Sequence, residues 1–353
     1  MEHTISAAQF FAVQFLIRVT MTIALDPSAI AGENPLNTLL SYGLAMVLGA
    51  GLAVPVWLLH RQPGVAFGEQ ARQALGPLGR VVGLFNILYF VAANALSLGA
   101  FLELLEERLH PEFPLVLILA AVVAVAAYGA WRGLETIARA GACLCVLVLA
   151  GTALLFGTAA GRFQWENLQP LGDAPALRGA AVFLSRTSLF AEMAVLLPYV
   201  RGRRGLGFAL WSLGTTVFVA ALTLLLAGCL GPYAAIQDFP VYTLASLSEV
   251  ASLQRLEPVF AVLWMAGLLP QVAMGLYACR VCAASLGGNR PPWVIVPAAL
   301  GMAALGLWAV SSKGVQSAFQ DSSLWLTLTL LTGGGVPLVL WLLNKLRRKG
   351  ARP

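Results

Sequence analysis

Two arginines lie in the middle of long apolar stretches of this chain, and an acidic residue follows each of them. Arg18 precedes Asp26, and Arg186 precedes Glu192. Hydroxyl side chains accompany both arginines, and these are Thr20, Thr22, Ser185, Thr187 and Ser188. A guanidinium group binds a carboxylate, a carboxylate meets an ammonium group or a proton, and hydroxyls supply hydrogen bonds. These residue types indicate a binding site for an anionic or zwitterionic solute.

The position of each arginine along its stretch supports this interpretation. Arg18 is ten residues beyond Ala8, and Arg186 is nine beyond Leu177, which is about 14 to 15 Å of helix. A charge at the centre of a bilayer costs about 2.5 to 3.5 kcal/mol on insertion scales, so it faces the protein interior and usually marks a site. An alternative stays open, in which either arginine neutralises Glu192 or Asp26 in a buried pair that only fixes helix packing.

The composition indicates the surroundings of these residues. Of 353 residues, 59% are hydrophobic and 11% charged, and the mean hydropathy is +0.81, which is typical of a membrane protein. Five cysteines, all within apolar runs, are too few for a disulfide scaffold. The net charge of +6 comes from short basic clusters between apolar stretches, so no nucleic-acid partner is expected.

A helix needs roughly 20 apolar residues to cross a bilayer core about 30 Å thick. Ten stretches meet this requirement, and we expect ten transmembrane helices in an all-α, polytopic membrane protein. The predicted segments are residues 7–30, 38–59, 80–105, 114–131, 137–160, 177–200, 205–230, 256–286, 293–311 and 323–345. The connections 65–75 and 241–253 place apolar residues at helical spacing, so each is either a helix lying in the membrane interface or an ordinary loop.

The basic residues predict the orientation, because lysine and arginine are retained on the cytoplasmic side. With the N-terminus inside, fifteen of the 22 Lys and Arg residues fall in inner connections and five in outer ones; the remaining two, Arg18 and Arg186, are in the membrane. This separation favours ten spans with both termini in the cytoplasm.

The first and sixth segments match in character but enter from opposite sides. Each has a central arginine, hydroxyl side chains, a later acid and a proline, Pro27 or Pro198. Such a match predicts one transmembrane domain, 1–353, built as a five-plus-five inverted repeat with halves of about 7–160 and 177–345. In transporters of that design the matched helices are broken, and their half-helix ends hold the solute. The predicted site therefore lies between residues 19–22 and 185–188.

Enzymatic and metal chemistry find little support in the residues. Cys279 and Cys282 lack a second pair and end an apolar helix, which indicates core packing. His3, His60 and His110 lie at segment ends without clustered carboxylates, and glycine-rich phosphate motifs are absent. No catalytic residue, metal or cofactor is expected.

Several short motifs, spread over nearly the whole chain, resemble those of a known family. They are Ile5-Ser6-x-x-Gln9, residues 75–80 (LGPLGR), Tyr128 with residues 133–139 (GLETIAR), residues 167–171 (NLQPL), Glu192 before residues 196–198 (LLP), residues 239–242 (FPVY), residues 254–257 (QRLE) and Trp264. In order and spacing they are similar to the B subunits of spore-germination receptors, GerAB-type permeases of the amino acid, polyamine and organocation transporter superfamily.

The resemblance implies a ten-helix APC/LeuT-like fold and a small-molecule germinant site at broken first and sixth helices. It also implies assembly with a receptor A subunit and a C-subunit lipoprotein in the inner spore membrane. One departure is that relatives commonly have glycine in the middle of helix 1, whereas this chain has Val19-Thr20-Met21-Thr22, which makes the unwinding of helix 1 less secure.

The function expected from these observations is a permease-like receptor subunit in the cell membrane or inner spore membrane, which binds a nutrient such as an amino acid and signals germination through partner subunits. Its ligand-binding residues would be the two arginines, two acids and five hydroxyl residues named at the outset. The alternative is a proton- or sodium-coupled amino acid transporter that acts without partners. A third class, a purely structural membrane scaffold, predicts no response to solutes.

Overall fold

The computed structural model describes residues 4–25, 34–61, 65–109, 114–168, 175–237, 239–247, 257–287 and 292–350. Asp26 and Pro27 lie outside the described residues. Within them the chain is almost entirely helical. In chain order the elements are β1 (Ile5–Ser6), α1 (Ala7–Leu25), α2 (Pro35–Leu59), α3 (Phe67–Leu75), α4 (Leu78–Leu104), α5 (Leu115–Arg132), α6 (Leu134–Ala159), α7 (Ala176–Ser185), α8 (Leu189–Leu196), β2 (Val200–Arg201), α9 (Arg204–Leu230), α10 (Pro240–Ser246), α11 (Glu257–Gly287), α12 (Ile295–Ser311), α13 (Lys313–Gln320), α14 (Ser322–Leu330) and α15 (Val336–Gly350).

Eight helices among the described residues are long and apolar enough to cross a membrane. They are α2, α4, α5, α6, α9, α11, α12 and the continuous pair α14–α15, which a π-helical turn at Leu331–Gly335 joins. The pair α7 and α8 makes a ninth span, and the shorter apolar helix α1 accounts for the first predicted segment. The described helices are therefore consistent with ten spans.

The sixth span is broken, as expected, whereas α1 is not. Helices α7 and α8 meet at an angle of 44°, and residues 186–188 between them are not helical. By contrast, α1 is an uninterrupted helix from Ala7 to Leu25, so the expected break in the middle of helix 1 is wrong for these residues. The helix continues through this segment, where the Thr20 hydroxyl bonds back to Leu16 O and neither glycine nor proline interrupts it. The break at residues 186–188 of the sixth span also lacks both residues, so their absence alone does not keep a helix continuous.

The helices pack around α1 and α11. Helix α1 contacts α6, α9 and α11, while α11 also packs against α4, α5 and α6. Large apolar side chains on the outer helices, such as Leu40, Val47, Leu88 and Val217, are more than half exposed. Such an apolar outer surface is what a lipid environment requires of a spanning helix bundle.

Two short helices confirm the helical interpretation of the long connections. Helix α3 occupies most of the predicted segment 65–75, and α10 covers residues 241–246 of the segment 241–253; residues 248–253 lie outside the described part of the chain. The charged residues of α3 are concentrated on its exposed face, as in a helix that lies at the membrane interface.

Two local interactions fix the start of α1. Ser6 Oγ accepts a hydrogen bond from Gln9 N at 3.1 Å, and Gln9 Oε1 accepts one from Ser6 N at 3.1 Å. This reciprocal arrangement is a capping box. Strand β1 also pairs in parallel with β2, with Ile5 opposite Val200. The N-terminus of α1 and the end of the sixth span therefore lie on the same face of the bundle.

Close packing between α3 and α4 gives a first prediction. A Cβ at Gly79 would lie 2.6 Å from Ala71 O and 2.8 Å from Arg72 N, and backbone atoms cannot move aside as a side chain can. We expect Gly79→Ala to lower the free energy of unfolding by about 1 to 3 kcal/mol. Gly51→Ala is the matched control, because nothing lies within 4 Å of its Cβ position. Thermal unfolding of both detergent-solubilised variants checks this, and equal melting temperatures would contradict it.

Candidate functional site

Arg18 lies against the break in the sixth span. Its Nη1 donates hydrogen bonds of 3.3 Å to Phe183 O and to Arg186 O. The guanidinium carbon lies 5.3 Å from the ring centre of Tyr42 and 5.6 Å from that of Phe183. Arg18 is only 4% exposed, so its charge stays inside the protein. The last carbonyls of a helix carry partial negative charge, which stabilises a cation there.

The break itself consists of Arg186, Thr187 and Ser188. Helix α7 ends at Ser185, and Thr187 Oγ1 accepts a 3.4 Å hydrogen bond from Leu189 N at the start of α8. Arg186 is 9% exposed. Because the chain leaves the helical path here, the C-terminal end of α7 and the N-terminal end of α8 both face the interior, where each end presents backbone groups without helical partners.

Glu192 lies one turn along α8 from Ser188. Its Oε1 accepts a 2.8 Å hydrogen bond from Ser188 Oγ, and its Oε2 accepts one from Gln14 Nε2 of α1. Glu192 is 1% exposed. This carboxyl group therefore joins α1 to the broken span through neutral donors, and both of its hydrogen-bonding partners also line the cleft described next.

A narrow cleft with about 210 Å³ of empty space separates α1 from the break. Its walls come from α1, the break, α8 and α9, and the lining residues are Gln14, Ile17, Arg18, Met21, Arg186, Thr187, Ser188, Leu189 and Trp211. Within the described residues, the buried indole N–H of Trp211 has no hydrogen-bond acceptor. The cleft thus combines two guanidinium groups, hydroxyls and an available N–H donor, all of which suit an anionic group.

Sequence reasoning placed nine residues at the site, and the structure brings five of them together. Arg18, Arg186, Thr187 and Ser188 line the cleft, and Glu192 lies beside it through Gln14 and Ser188. Their role as ligand-binding residues stays a prediction.

Of the other four predicted residues, three lie elsewhere and the fourth is not among the described residues. Ser185 Oγ bonds back to Val182 O at 2.7 Å, and Thr22 is fully buried without lining the cleft. Thr20 faces away from the cleft, where its hydroxyl bonds to Leu16 O at 2.9 Å and packs against Gly267, at which a Cβ would overlap it. Asp26 lies outside the described residues.

Thr20 instead borders a second, small and mainly apolar cavity. Helices α6, α9, α10 and α11 complete its walls with residues such as Val148, Leu222, Val241 and Phe260. Apart from Thr20, the only hydroxyl in this lining is that of Thr152. An apolar cavity of this kind does not recognise a charged solute.

Sequence reasoning missed Gln14, Met21 and Trp211. The first two could have been found, because Gln14, Ile17, Arg18 and Met21 repeat at the spacing of one helix face. Trp211 had no local signal, since it reaches the cleft from α9 through the tertiary fold.

Ser97 of α4 and Gln271 of α11 form an interhelical contact with Met21 of α1. Gln271 Nε2 donates to Ser97 Oγ at 2.6 Å and to Met21 Sδ at 3.1 Å. This cluster ties α1 to both neighbours directly behind the cleft, while Pro270 is accommodated within the continuous helix α11.

The alternative of a buried ion pair finds no support at Glu192. Both carboxylate oxygens of this residue accept hydrogen bonds from Gln14 and Ser188 rather than from an arginine. The version of the alternative that involves Asp26 concerns a residue outside the described part of the chain.

Potential metal ligands are scattered. The described residues contain no group of three or more His, Cys, Asp or Glu side chains able to hold a metal ion. Cys279 and Cys282 are free thiols buried in α11, where they fill space between helices.

His60 gives a second prediction, on pH. It lies just beyond α2, is buried, and its Nε2 bonds to Ala194 O of α8 at 2.7 Å. The pKa of His60 is lowered from 6.5 to about 4, mainly because the side chain is buried; the Ala194 hydrogen bond opposes this shift and the charge of Arg204 adds to it. Between pH 6.5 and 4 the unfolded chain therefore binds a proton that the folded chain rejects, so stability falls as the pH falls.

We expect acidification from pH 7 to pH 5 to cost about 2 kcal/mol through His60 alone. His60→Gln keeps a donor for Ala194 O but cannot titrate, so its melting temperature should fall less over the same interval. Parallel slopes for the wild type and this variant would show that His60 does not titrate in this way.

The fold and the cleft together define a multi-pass membrane protein of the transporter type, in which a broken span and a neighbouring helix enclose a polar cleft. The profile of the spore permease family, described as "Spore germination protein", matches residues 4–303. The chain therefore belongs to the spore germination permease family, and the family resemblance seen in its motifs is confirmed.

A characterised relative shows the same relationship over most of the sequence. The chain is 23% identical over 323 residues to "Spore germination protein KB" of Bacillus subtilis (strain 168), an alignment that covers 86% of this chain and 84% of the relative.

Solved structures confirm the APC/LeuT-like fold class. The chain superposes on a Na⁺-coupled sialic acid symporter in a substrate-bound outward-open state with a TM-score of 0.66 at 11% identity, covering 94% of this chain and 79% of the symporter. A nucleobase-cation-symport-1 family transporter with bound bromovinylhydantoin gives 0.61 at 13%, covering 99% and 94%. A manganese transporter of Eremococcus coleocola gives 0.58 at 15%, covering 98% and 89%. At these identities the likeness concerns the fold alone.

Proposed function

We propose that this permease is the ligand-binding B subunit of a germinant receptor, which binds a small nutrient such as an amino acid and signals germination through an A subunit and a C-subunit lipoprotein. The observation that carries the proposal is the contact of the buried Arg18 guanidinium with the carbonyl of Arg186 at the break in the sixth span. Arg18 and Arg186 are both buried there and line the same cleft.

The roles we assign follow from the chemistry of each group. Arg18 and Arg186 hold a carboxylate, and the indole N–H of Trp211 is available to the same anion. Glu192 receives the ammonium group or a proton. Thr187 and Ser188 add hydrogen bonds, and the N-terminal end of α8 favours negative charge nearby.

The narrowness of the cleft supports a gated site. Because the cleft has room for about one water molecule, a nutrient enters only if α1 and the broken span separate. Such a movement at the centre of the bundle would change the face that carries β1 and β2, because β1 leads into α1 and β2 follows the sixth span. That face is where we place the coupling to partner subunits.

Location and repeat organisation belong to the same proposal. The chain would lie in the cell membrane or inner spore membrane with both termini in the cytoplasm, as the excess of Lys and Arg in inner connections predicts. Residues 7–160 and 177–345 would form the two inverted repeats.

The second candidate function is a proton- or sodium-coupled amino acid transporter that needs no partners. Two observations favour it: the shared fold with a structure named as a Na⁺-coupled symporter, and the buried Glu192, whose neutral hydrogen-bond partners suit an exchangeable proton.

One pair of experiments separates these functions. Affinity purification of the detergent-solubilised chain from its native spores, followed by mass spectrometry, should recover an A-type and a C-type subunit. Proteoliposomes of the chain alone should then show no concentrative amino acid uptake. Uptake without partners would establish the transporter instead. A structural scaffold would show neither uptake nor an amino acid-dependent thermal shift, and Arg186→Ala would leave it unchanged.

A further inference from the structure

A second concave surface lies away from the central cleft, on the face of the bundle that carries β1. It is an open groove of about 1240 Å³ between α3, the start of α4 and the end of α11. The lining residues are Ala66, Glu69, Arg72, Gln73, Gly76, Pro77, Arg80 and Ala284. We call it the α3 groove.

The α3 groove gathers cations from separate elements. Arg72 comes from α3 and Arg80 from α4, while Arg347 of α15 stands at the rim, where its Nη1 donates to Gln73 O. Among the described residues, neither Arg72 nor Arg80 takes part in an ion pair. Glu69, the one carboxylate in the lining, accepts a hydrogen bond from Gln73. The groove therefore carries an excess of positive charge that the protein itself does not neutralise.

The walls of the groove are rigid because glycines bring the helices into close contact. A Cβ at Gly68 would lie 2.8 Å from Ser285 N of α11, and one at Gly79 would lie 2.6 Å from Ala71 O. At Gly83 a Cβ would overlap Ser285 Oγ. The turn between α3 and α4 also depends on Gly76, whose φ is +59°. The backbone at the two arginines is thus fixed, so binding an anion between them has to order only the side chains.

One edge of the groove is apolar and continues the outer surface of the bundle. Leu78 and Val81, on either side of Arg80, are 64% and 61% exposed. A cation next to exposed apolar side chains at the end of a spanning helix matches a phospholipid, which has an anionic head and acyl chains. An acidic protein segment would match the arginines but not this lipid-facing edge.

We propose that the α3 groove binds the phosphate of an anionic phospholipid, with the headgroup between Arg72 and Arg80 and the acyl chains along Leu78 and Val81. The bound lipid fixes α3 against α4 and α11 and anchors this face at the membrane surface. The proposal does not depend on the nutrient site.

The test is a thermal-shift titration of the full-length chain in detergent with phosphatidylglycerol or phosphatidylcholine of equal chain length. Phosphatidylglycerol should raise the melting temperature at concentrations at which phosphatidylcholine does not. In Arg72→Gln/Arg80→Gln the half-saturating concentration of phosphatidylglycerol should rise about 25-fold, since each cation near the surface contributes about fivefold. This variant should fold, because neither side chain makes an intramolecular hydrogen bond among the described residues.

The matched control is Arg132→Gln/Arg203→Gln, which removes the same charge from exposed positions outside the groove and should stay within about twofold of the wild type. Equal responses of both double variants would overturn the site, as would equal stabilisation by the two lipids. The last measurement is a titration with inorganic phosphate. If it stabilises the chain as well as phosphatidylglycerol does at the same concentration, the groove takes free phosphate and the lipid assignment fails.

Discussion

Arg18→Gln should reduce the affinity for the nutrient at least a hundredfold. A guanidinium group binds a carboxylate through two charge-assisted hydrogen bonds, each worth about 1.5 to 3 kcal/mol. Arg18 is buried and already lies at the break, 3.3 Å from the carbonyl oxygen of Arg186. Binding a ligand carboxylate therefore requires little further ordering of the Arg18 side chain. The measurement is a thermal-shift titration with the proteinogenic amino acid that most stabilises the wild-type chain.

Two further variants make this result specific. Arg18→Lys keeps the charge but loses the planar fork, so we expect an intermediate affinity. Arg178→Gln removes an exposed arginine near the start of α7 and should bind like the wild type. If Arg18→Gln lowers membrane expression as much as it lowers the ligand response, the arginine only packs helices and the site hypothesis is wrong.

The spans were predictable because the bilayer imposes a strong and local constraint. Helices α2, α5 and α12 begin or end within about three residues of the predicted segments, since length and hydropathy decide where a helix can cross. The break predicted near residues 19–22 of α1 was wrong. Neither this stretch nor Arg186-Thr187-Ser188 contains glycine or proline, yet only the second is broken, so the local sequence does not decide which span breaks.

The site was predictable only in part, because the position of a charged residue along its segment gives its depth in the membrane but not the side of the helix that faces the cleft. Thr20 is two positions from Arg18, about 200° around the helix, so it faces α11 instead of the cleft. Gln14 is four positions away and shares the face of Arg18. Trp211 lies almost 200 residues from Arg18 in the sequence, and only the packing of α9 against α1 brings the two together.

These placements show that the two walls of the cleft, α1 and the sixth span, differ in how easily they can move. Helix α1 is continuous and is held behind by Gln271, whereas the sixth span bends at the site itself. The broken span is therefore the element that can change conformation locally, because its hydrogen-bond ladder is already interrupted. A ligand that binds Arg18 and Arg186 at once would fix the angle between α7 and α8, and this is the movement that partner subunits would sense.

Glu192→Gln should weaken the binding of a zwitterionic amino acid about tenfold or more while leaving the fold intact. Glutamine has nearly the same shape, and its side-chain oxygen can still accept from Gln14 or Ser188, the two partners of Glu192. What disappears is the carboxylate that would receive the ammonium group, and a charge-assisted bond of this kind is worth about 1.5 to 3 kcal/mol. The titration used for Arg18→Gln measures the change.

Ser188→Ala is the matched control, because it removes one hydrogen bond to Glu192 but keeps the carboxylate. We expect it to weaken amino acid binding by about 2- to 13-fold, less than Glu192→Gln does, since a neutral hydrogen bond contributes only about 0.5 to 1.5 kcal/mol. A probe without the amino group, the corresponding α-hydroxy acid, should bind wild type and Glu192→Gln equally. If Glu192→Gln binds the amino acid as tightly as the wild type does, the carboxyl does not meet the ammonium group. Loss of proton-coupled uptake in the same variant would then assign Glu192 to proton transfer.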